Sequence, residues 1–123
     1  MLLGPVFVKH HPYTYGDKKH EEPWKQAVAD ECRKYWRGRE PLERPVRLRL
    51  KFYVDRNKDY DLTGMLESTV NAIASVVFPP RRGGHKTPWN HEDKWVYQIE
   101  ASKEISQEGH GVEIIIEHVE HEM

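Results

Sequence analysis

The sequence has little cysteine, no long apolar run and almost no net charge. Its single cysteine, Cys32, excludes an internal disulfide and fits a reducing cytoplasm. It has no basic-then-apolar leader and no apolar stretch of about 18 residues, so we expect neither export nor a membrane span. The 19 lysines and arginines nearly balance the 20 aspartates and glutamates. Any contact with nucleic acid must therefore come from local patches rather than from the overall charge.

Composition predicts one domain with a small hydrophobic core. The 123 residues are enough for a single core, and this length predicts a single domain that spans residues 1–123. Charged residues make up 32% of the chain and the mean hydropathy is −0.85, which leaves few apolar residues for that core. A homodimer interface would help to bury them.

Apolar periodicity predicts two main helices and four strands. Residues 45–54 alternate strictly between apolar and polar side chains, which is typical of a strand. A helix over residues 22–37 and a second from Asp61 or Thr63 to residue 77 carry apolar residues at helical spacing.

Three more strands are predicted. The first, residues 2–8, contains Pro5 and so belongs at a sheet edge. The second, residues 94–103, carries Trp95, Tyr97, Ile99 and Ala101 on one face. The third, residues 111–119, is expected to pair with its predecessor. This order predicts an α+β fold, an α/β sandwich in which two helices pack on a mixed four-stranded sheet.

Acidic residues lie at the ends of two predicted elements. Asp61 and Glu67 lie at or near the start of the second helix, while Glu92 and Asp93 open the strand that follows it. Mg²⁺ prefers oxygen ligands and usually keeps several waters for a substrate phosphate. Asp61, Asp93 and Glu92 could therefore hold a metal ion, with Glu67 as an auxiliary acid, if that strand begins beside the helix start. The alternative is that Asp61 caps the helix and Glu67 is solvated.

Several stretches resemble the RusA family of Holliday-junction resolvases. DLTGMLESTVNAI resembles the family's D-L-D-N-L-x-K-x-x-x-D-A-L helix if Asp61 takes the first aspartate, and EDKWV resembles its D-D-x-Q-V strand start. EEPWKQAVADECRKYW followed by PVRLRLKFYV resembles the family's opening helix and strand. The resemblance covers nearly the whole chain in order, with one insertion before Glu92.

The resemblance implies a homodimeric, Mg²⁺-dependent endonuclease (Mn²⁺ being a possible substitute) that cuts branched DNA in recombination or repair. It implies catalytic roles for Asp61 and Asp93, with Glu92 beside Asp93. Glu67 is our own candidate for a further catalytic acid, which would partly replace an aspartate that the sequence lacks at Thr63. The sequence departs from the family pattern at three positions: Thr63 replaces an aspartate, Gly64 an asparagine, and Glu67 a basic residue. A second register, with Asp59 and Asp61 on the D-x-D motif, shifts the apolar helix positions by two. These departures leave open a catalytically impaired DNA-binding or scaffolding protein.

Two groups of cations are candidate DNA contacts. Strand 45–54 presents a cationic side chain at every second residue. Such a row could follow a DNA backbone, where each phosphate that a cation neutralises releases counterions. Loop 78–90 carries a second group that could replace the basic residue missing at Glu67. The candidates are Arg47, Arg49 and Lys51 on the strand and Arg81, Arg82 and Lys86 on the loop. The alternative for the strand is a solvent-facing row that serves solubility.

The eight histidines and the cysteine give no pattern typical of a zinc site. Structural zinc sites usually combine closely spaced cysteine and histidine ligands, and here no second thiol is present. We therefore predict that the two histidine pairs, His10-His11 and His118-x-x-His121, lie on the surface. Cys32 lies on the apolar stripe of the first helix, which predicts a buried thiol rather than a nucleophile.

Overall fold

The computed structural model describes residues 2–11, 18–55, 61–83 and 88–119, which form two α-helices and four strands. The strands are β1 (Leu3–Val8), β2 (Val46–Val54), β3 (Val96–Ile105) and β4 (Gly111–His118). The helices are α1 (Glu21–Trp36) and α2 (Leu62–Val77), with short 3₁₀ turns at Lys18–His20 and Asp93–Trp95. Within these residues, neither helix is long and apolar enough to cross a membrane.

The four strands form one mixed sheet in the order β1–β4–β2–β3. β2 runs parallel to β3 and antiparallel to β4, and β1 runs antiparallel to β4. The predicted α+β fold with a mixed four-stranded sheet and two helices is confirmed, as is the edge position of β1.

The predicted pairing of the last strand with its predecessor is wrong. β4 lies between β1 and β2, and β3 forms the opposite edge of the sheet. Burial gives the physical reason: β4 buries Val112, Ile114 and Ile116, whereas most side chains of β3 are exposed. The apolar strand therefore takes a central position and the charged strand an edge.

The core lies between the helices and one face of the sheet. β2 buries its whole predicted apolar face: Val46, Leu48, Leu50, Phe52 and Val54. Trp24 of α1 is fully buried, and its indole Nε1 donates a hydrogen bond to Thr69 Oγ1 of α2 at 3.0 Å. Cys32 is buried as predicted, and burial raises the pKa of its thiol to about 12.

The helices leave β3 largely uncovered. α1 packs against α2 and β1, and α2 makes only slight contact with β3. Tyr97 and Ile99, which the sequence places on an apolar face, are 53% and 45% exposed. Of the predicted apolar face, Trp95 and Ala101 therefore pack against the core, whereas Tyr97 and Ile99 do not.

Candidate functional site

Asp61 lies at the N-terminus of α2 and caps it. Its backbone is extended, and its Oδ1 accepts a hydrogen bond from the backbone N–H of Thr63 at 3.3 Å. An aspartate in this position satisfies one of the N–H groups that the first helical turn leaves without a partner. This is the contact that the capping alternative predicts, and the carboxylate nevertheless stays exposed.

Replacing Asp61 with alanine should lower the free energy of unfolding by about 1 kcal/mol, the usual cost of losing an N-cap. Asp61→Asn keeps an oxygen acceptor at the same place and should cost clearly less. Urea denaturation of the two variants measures the difference. Equal losses would show that the cap contributes nothing.

Thr63 and Glu67 lie on the exposed surface of α2. Glu67 is four residues beyond Thr63, so the two side chains share one face of the helix. Both stay within the first two turns of α2, near Asp61 rather than near the far end. Asp59, which the second register places on the D-x-D motif, lies outside the described residues.

Glu92 and Asp93 lie at the other end of α2. The Glu92 backbone N–H donates to the carbonyl oxygen of Pro79, two residues after the end of the helix, at 2.9 Å. Arg81 Nη2 contacts Asp93 Oδ1 at 2.6 Å, and Lys94 Nζ lies 3.7 Å from Glu92 Oε2. Both acids are therefore paired with cations close to them in sequence.

The expected convergence of Asp61 and Asp93 within one chain is wrong. α2 has 16 residues and is about 24 Å long at 1.5 Å per residue, and the two aspartates lie beyond its opposite ends. The cause is the parallel pairing of β2 and β3. Asp61 follows the carboxyl end of β2, while Asp93 precedes the amino end of β3, at the other side of the sheet.

The acids named for the predicted Mg²⁺ site thus lie apart within one chain. In the part of the chain that the structure describes, no group of three or more histidine, cysteine, aspartate or glutamate side chains could hold a metal ion. Asp61, Glu92 and Asp93 remain suitable in chemistry, because carboxylate oxygens are the ligands that Mg²⁺ prefers. What one chain lacks is their proximity.

The cations of β2 are paired with glutamates of the neighbouring strands. Arg47 Nη2 lies 3.1 Å from Glu117 Oε1, Arg49 Nε 3.0 Å from Glu100 Oε2, and Lys51 Nζ 3.3 Å from Glu104 Oε2. These pairs form because parallel β3 and antiparallel β4 place their glutamates beside the cations on the open face of the sheet. They favour the solvent-facing alternative over a row that tracks a DNA backbone.

The pKa shifts follow the same pairing. Desolvation raises the pKa of Glu117, but the hydrogen bonds and positive charges of Arg47 and Arg49 outweigh it and hold that pKa below its ordinary value. The hydrogen bond and negative charge of Glu104 raise the pKa of Lys51. Both pKa shifts show that the folded structure favours the charged forms. Glu117 and Lys51 are therefore charged and ion-paired near neutral pH.

Changing Arg47, Arg49 and Lys51 together to alanine should alter the salt dependence of any DNA binding only slightly. If each cation neutralised one phosphate, each substitution would reduce the slope of log K against log salt concentration by about 0.9, or roughly 2.7 for all three. Because the three cations are already paired, we expect a change of less than about 1. Fluorescence anisotropy of a labelled duplex from low to moderate salt measures the slope, and a change near the full value would establish a phosphate-binding row.

The loop cations have different surroundings. Arg81 is engaged by Asp93 and also donates from Nε to the carbonyl oxygen of His91 at 3.0 Å. Arg82 is exposed and lines a shallow cavity of about 310 Å³ together with Glu92 and Lys94. Lys86 lies outside the described residues. Arg82 is thus the described loop cation best placed to meet a phosphate near Glu92.

A stack of histidines is the feature that the sequence did not reveal. The ring centroid of His11 lies 5.3 Å from that of His20 and 4.5 Å from that of His110. His110 Nε2 lies 3.5 Å from Asp55 Oδ2. These four residues come from four separate segments, so no local spacing could have predicted the cluster. His20 and His110 are half-buried. Of the predicted surface histidines, His11 and His118 are exposed, His10 is half-buried and His121 lies outside the described residues.

This cluster lies at the end of the sheet where β2 ends, which is also the end that leads to Asp61. The rings of His11 and His20 are stacked at an interplanar angle of 29°, and those of His11 and His110 are tilted at 32°. A cavity of about 500 Å³ beside His110 is lined in part by Phe7, Tyr53 and Glu108.

Comparison with known proteins adds no family to this geometry. No protein-family model matches the sequence. No curated protein matches it either. The function proposed below therefore rests on the chain's own residues and on the short motifs that resemble the RusA family.

Proposed function

We propose that the protein is a metal-dependent endonuclease of branched DNA whose catalytic acids come from two protomers of a homodimer. The observation that carries the proposal is the placement of the two acidic groups: Asp61 lies at one end of α2, and Glu92 and Asp93 lie at the other. In a twofold dimer whose protomers run antiparallel, Asp61 of one protomer lies on the same side as the partner's Asp93. Symmetry then creates two equivalent sites, which suits a four-way junction with its own twofold axis.

The motifs that resemble the RusA family mark the same residues. Asp61, Glu92 and Asp93 would hold Mg²⁺ or Mn²⁺, with Glu67 as an auxiliary acid near Asp61. Such an ion supplies an activated water and neutralises charge on the scissile phosphate. Arg81 orients Asp93 by binding one of its two carboxylate oxygens, and the Asp93 side chain stays 39% exposed. Arg82 is available for a phosphate oxygen, and recombination or repair in the cytoplasm is the setting we infer.

A second candidate function follows from the contacts that these acids already make. Asp61 serves as a helix cap, and Asp93 is paired with Arg81. Thr63 and Glu67 replace residues that the RusA-like motif would supply. A protein that kept this fold but lost the chemistry would bind branched DNA, or act as a scaffold on it, without cutting.

Nicking of a synthetic four-way junction in Mg²⁺ or Mn²⁺ tests the proposal. The wild type should nick the junction, and Asp93→Asn should reduce the rate by about a hundredfold or more, the scale on which loss of one electrostatic contact to a transition state acts. Asp30→Asn, which changes an exposed and likewise ion-paired aspartate on α1, is the matched control and should leave the rate unchanged. Binding without nicking would favour the second candidate. No binding at low salt would remove both.

A further inference from the structure

β3 is an edge strand of unusual character. It pairs with β2 along nearly its whole length of ten residues, and in the described sheet no strand lies on its other side. An exposed edge of this length presents backbone groups that can pair with another strand. Soluble proteins usually shorten, bend or cover such an edge, and the helices here do not cover it.

The side chains of β3 add apolar surface to that edge. Ile99 and Ile105 lie opposite Leu48 and Val54, on the side of the sheet that the helices cover elsewhere, yet they are 45% and 59% exposed. Tyr97, which lies at a register shift in the pairing of β2 with β3, is 53% exposed. Three exposed apolar side chains along one uncovered edge strand, with Lys103 before the last of them, favour an interaction surface.

We infer that β3 pairs antiparallel with β3 of a second copy of the chain, about a twofold axis at Ala101, and joins the two sheets into one. The backbone alternation permits this centre. The Ser106 N–H donates to the carbonyl oxygen of Val54, so even-numbered residues of the strand direct their backbone groups towards β2. Ala101 therefore directs its backbone groups towards the outer edge.

Avoidance of like charges favours this register over the two registers centred one residue before or after it. Residues directly opposite each other in an antiparallel pair share a face, and like charges at such positions are destabilising. A pairing centred on Glu100 would set that glutamate against the partner's Glu100, and one centred on Ser102 would set it against the partner's Glu104. The pairing centred on Ala101 sets Glu100 against the partner's Ser102 and avoids both repulsions.

The same register matches the apolar side chains. It places Tyr97 opposite the partner's Ile105, and the twofold axis repeats this pair at the other end of the seam. Ile99 lies opposite the partner's Lys103, whose alkyl chain can cover it while the ammonium group stays in water. A second copy of this chain is therefore the occupant that fits both the charge pattern and the apolar pattern of β3.

This inference deepens the proposed function and rests on the homodimer that it requires. Antiparallel β3 strands bring the amino end of one β3, which follows Asp93, to the end of the sheet where the partner's α2 begins. The β3 seam is thus the surface that would bring Asp61 of one protomer towards the partner's Asp93. Its test needs neither DNA nor a metal ion, so failure of the seam and failure of the nuclease proposal are separate results.

Cysteines at positions 100 and 102 test the register. In the inferred seam Glu100 lies opposite the partner's Ser102 as a pair without backbone hydrogen bonds, with Cα atoms about 4.5 Å apart, within the range for a disulfide. Two copies of the same residue are offset along the strands and lie about 8 Å apart, outside that range. Mild oxidation of a mixture of Glu100→Cys and Ser102→Cys should therefore give a disulfide dimer, with at least tenfold less from either variant alone. Cys32 should stay silent, because it is buried and its pKa is raised to about 12.

Each other pattern overturns the inference. Cross-linking of Glu100→Cys alone would show a seam centred on residue 100. Cross-linking of Ser102→Cys alone would show a seam centred on residue 102. No cross-link in the mixture would exclude strand pairing at this edge.

Light scattering measures the mass of the assembly and tests the seam without introduced cysteines. The wild type should have the mass of a dimer, Ile105→Lys the mass of a monomer, and Phe7→Lys the mass of a dimer, since Phe7 is similarly exposed but lies on β1. A monomeric wild type, or a dimer that survives Ile105→Lys, would refute a β3 seam.

Discussion

Mixing the Asp61→Asn and Asp93→Asn variants should restore nicking of a four-way junction that neither variant shows alone. Each variant by itself loses its acid at both sites of the dimer, and we expect a loss of about a hundredfold or more. In a mixed dimer, one site carries both changes and the other carries neither. Random exchange makes half of the dimers mixed, so roughly a quarter of the sites regain both aspartates.

The separation of Asp61 and Asp93 along α2 is the reason to expect this result. If both acids acted within one chain, every chain in the mixture would lack one of them and the mixture would stay inactive. Because a mixed dimer keeps a single intact site, it should make single nicks rather than paired nicks. A denaturing gel with each junction strand labelled in turn separates these products.

The control for this experiment is structural. Asp61→Asn keeps an N-cap acceptor for α2, so the variant should fold and exchange subunits normally. The inactive variants should also bind the junction as the wild type does. An inactive mixture whose subunits are shown by mass to have exchanged would contradict the composite site.

Replacing Trp24 with alanine should lower the free energy of unfolding by about 3–5 kcal/mol, the range for deleting a large buried aromatic side chain. The indole is fully buried between α1 and the rest of the core, and its hydrogen bond to Thr69 links the two helices. Alanine leaves a cavity that the helices cannot close without shifting on the sheet. Urea denaturation, with comparison of the slope m, measures the loss.

Tyr35→Ala on the same helix is the matched control for Trp24. Tyr35 is 52% exposed, and surface substitutions usually change stability by no more than about 0.5 kcal/mol. Trp24→Phe keeps most of the volume and removes the hydrogen bond, so it should fall between the two. A loss of less than about 1 kcal/mol for Trp24→Ala would mean that this residue does not join the helices as described.

The strongest local patterns predicted the fold well. The strict alternation around Leu48, Leu50 and Phe52 predicted β2 because the side chains of a strand alternate between faces. Pro5 predicted the edge position of β1, since proline cannot donate to a central ladder. Asp61 at a helix start predicted the capping contact as one of two alternatives. These features depend on neighbours in the chain, which the sequence contains directly.

The errors concern partners distant in sequence. The position of β4 between β1 and β2 depends on which strand buries more apolar surface, and the short loop after β3 suggested a hairpin instead. The glutamates that pair with Arg47, Arg49 and Lys51 come from β3 and β4, so only the sheet order shows them. The stack of His11, His20 and His110 likewise has no local signal.

The sequence by itself determined the elements, their amphipathic faces and the residues with the chemistry for a metal site, because these follow from the order of side chains along the chain. Only the tertiary structure decided the distance between the acids. The parallel pairing of β2 and β3 requires the chain to return along α2, and the length of that helix keeps Asp61 and Asp93 at opposite ends of the sheet. The same arrangement leaves β3 as an uncovered edge, the surface where we infer that a second chain binds.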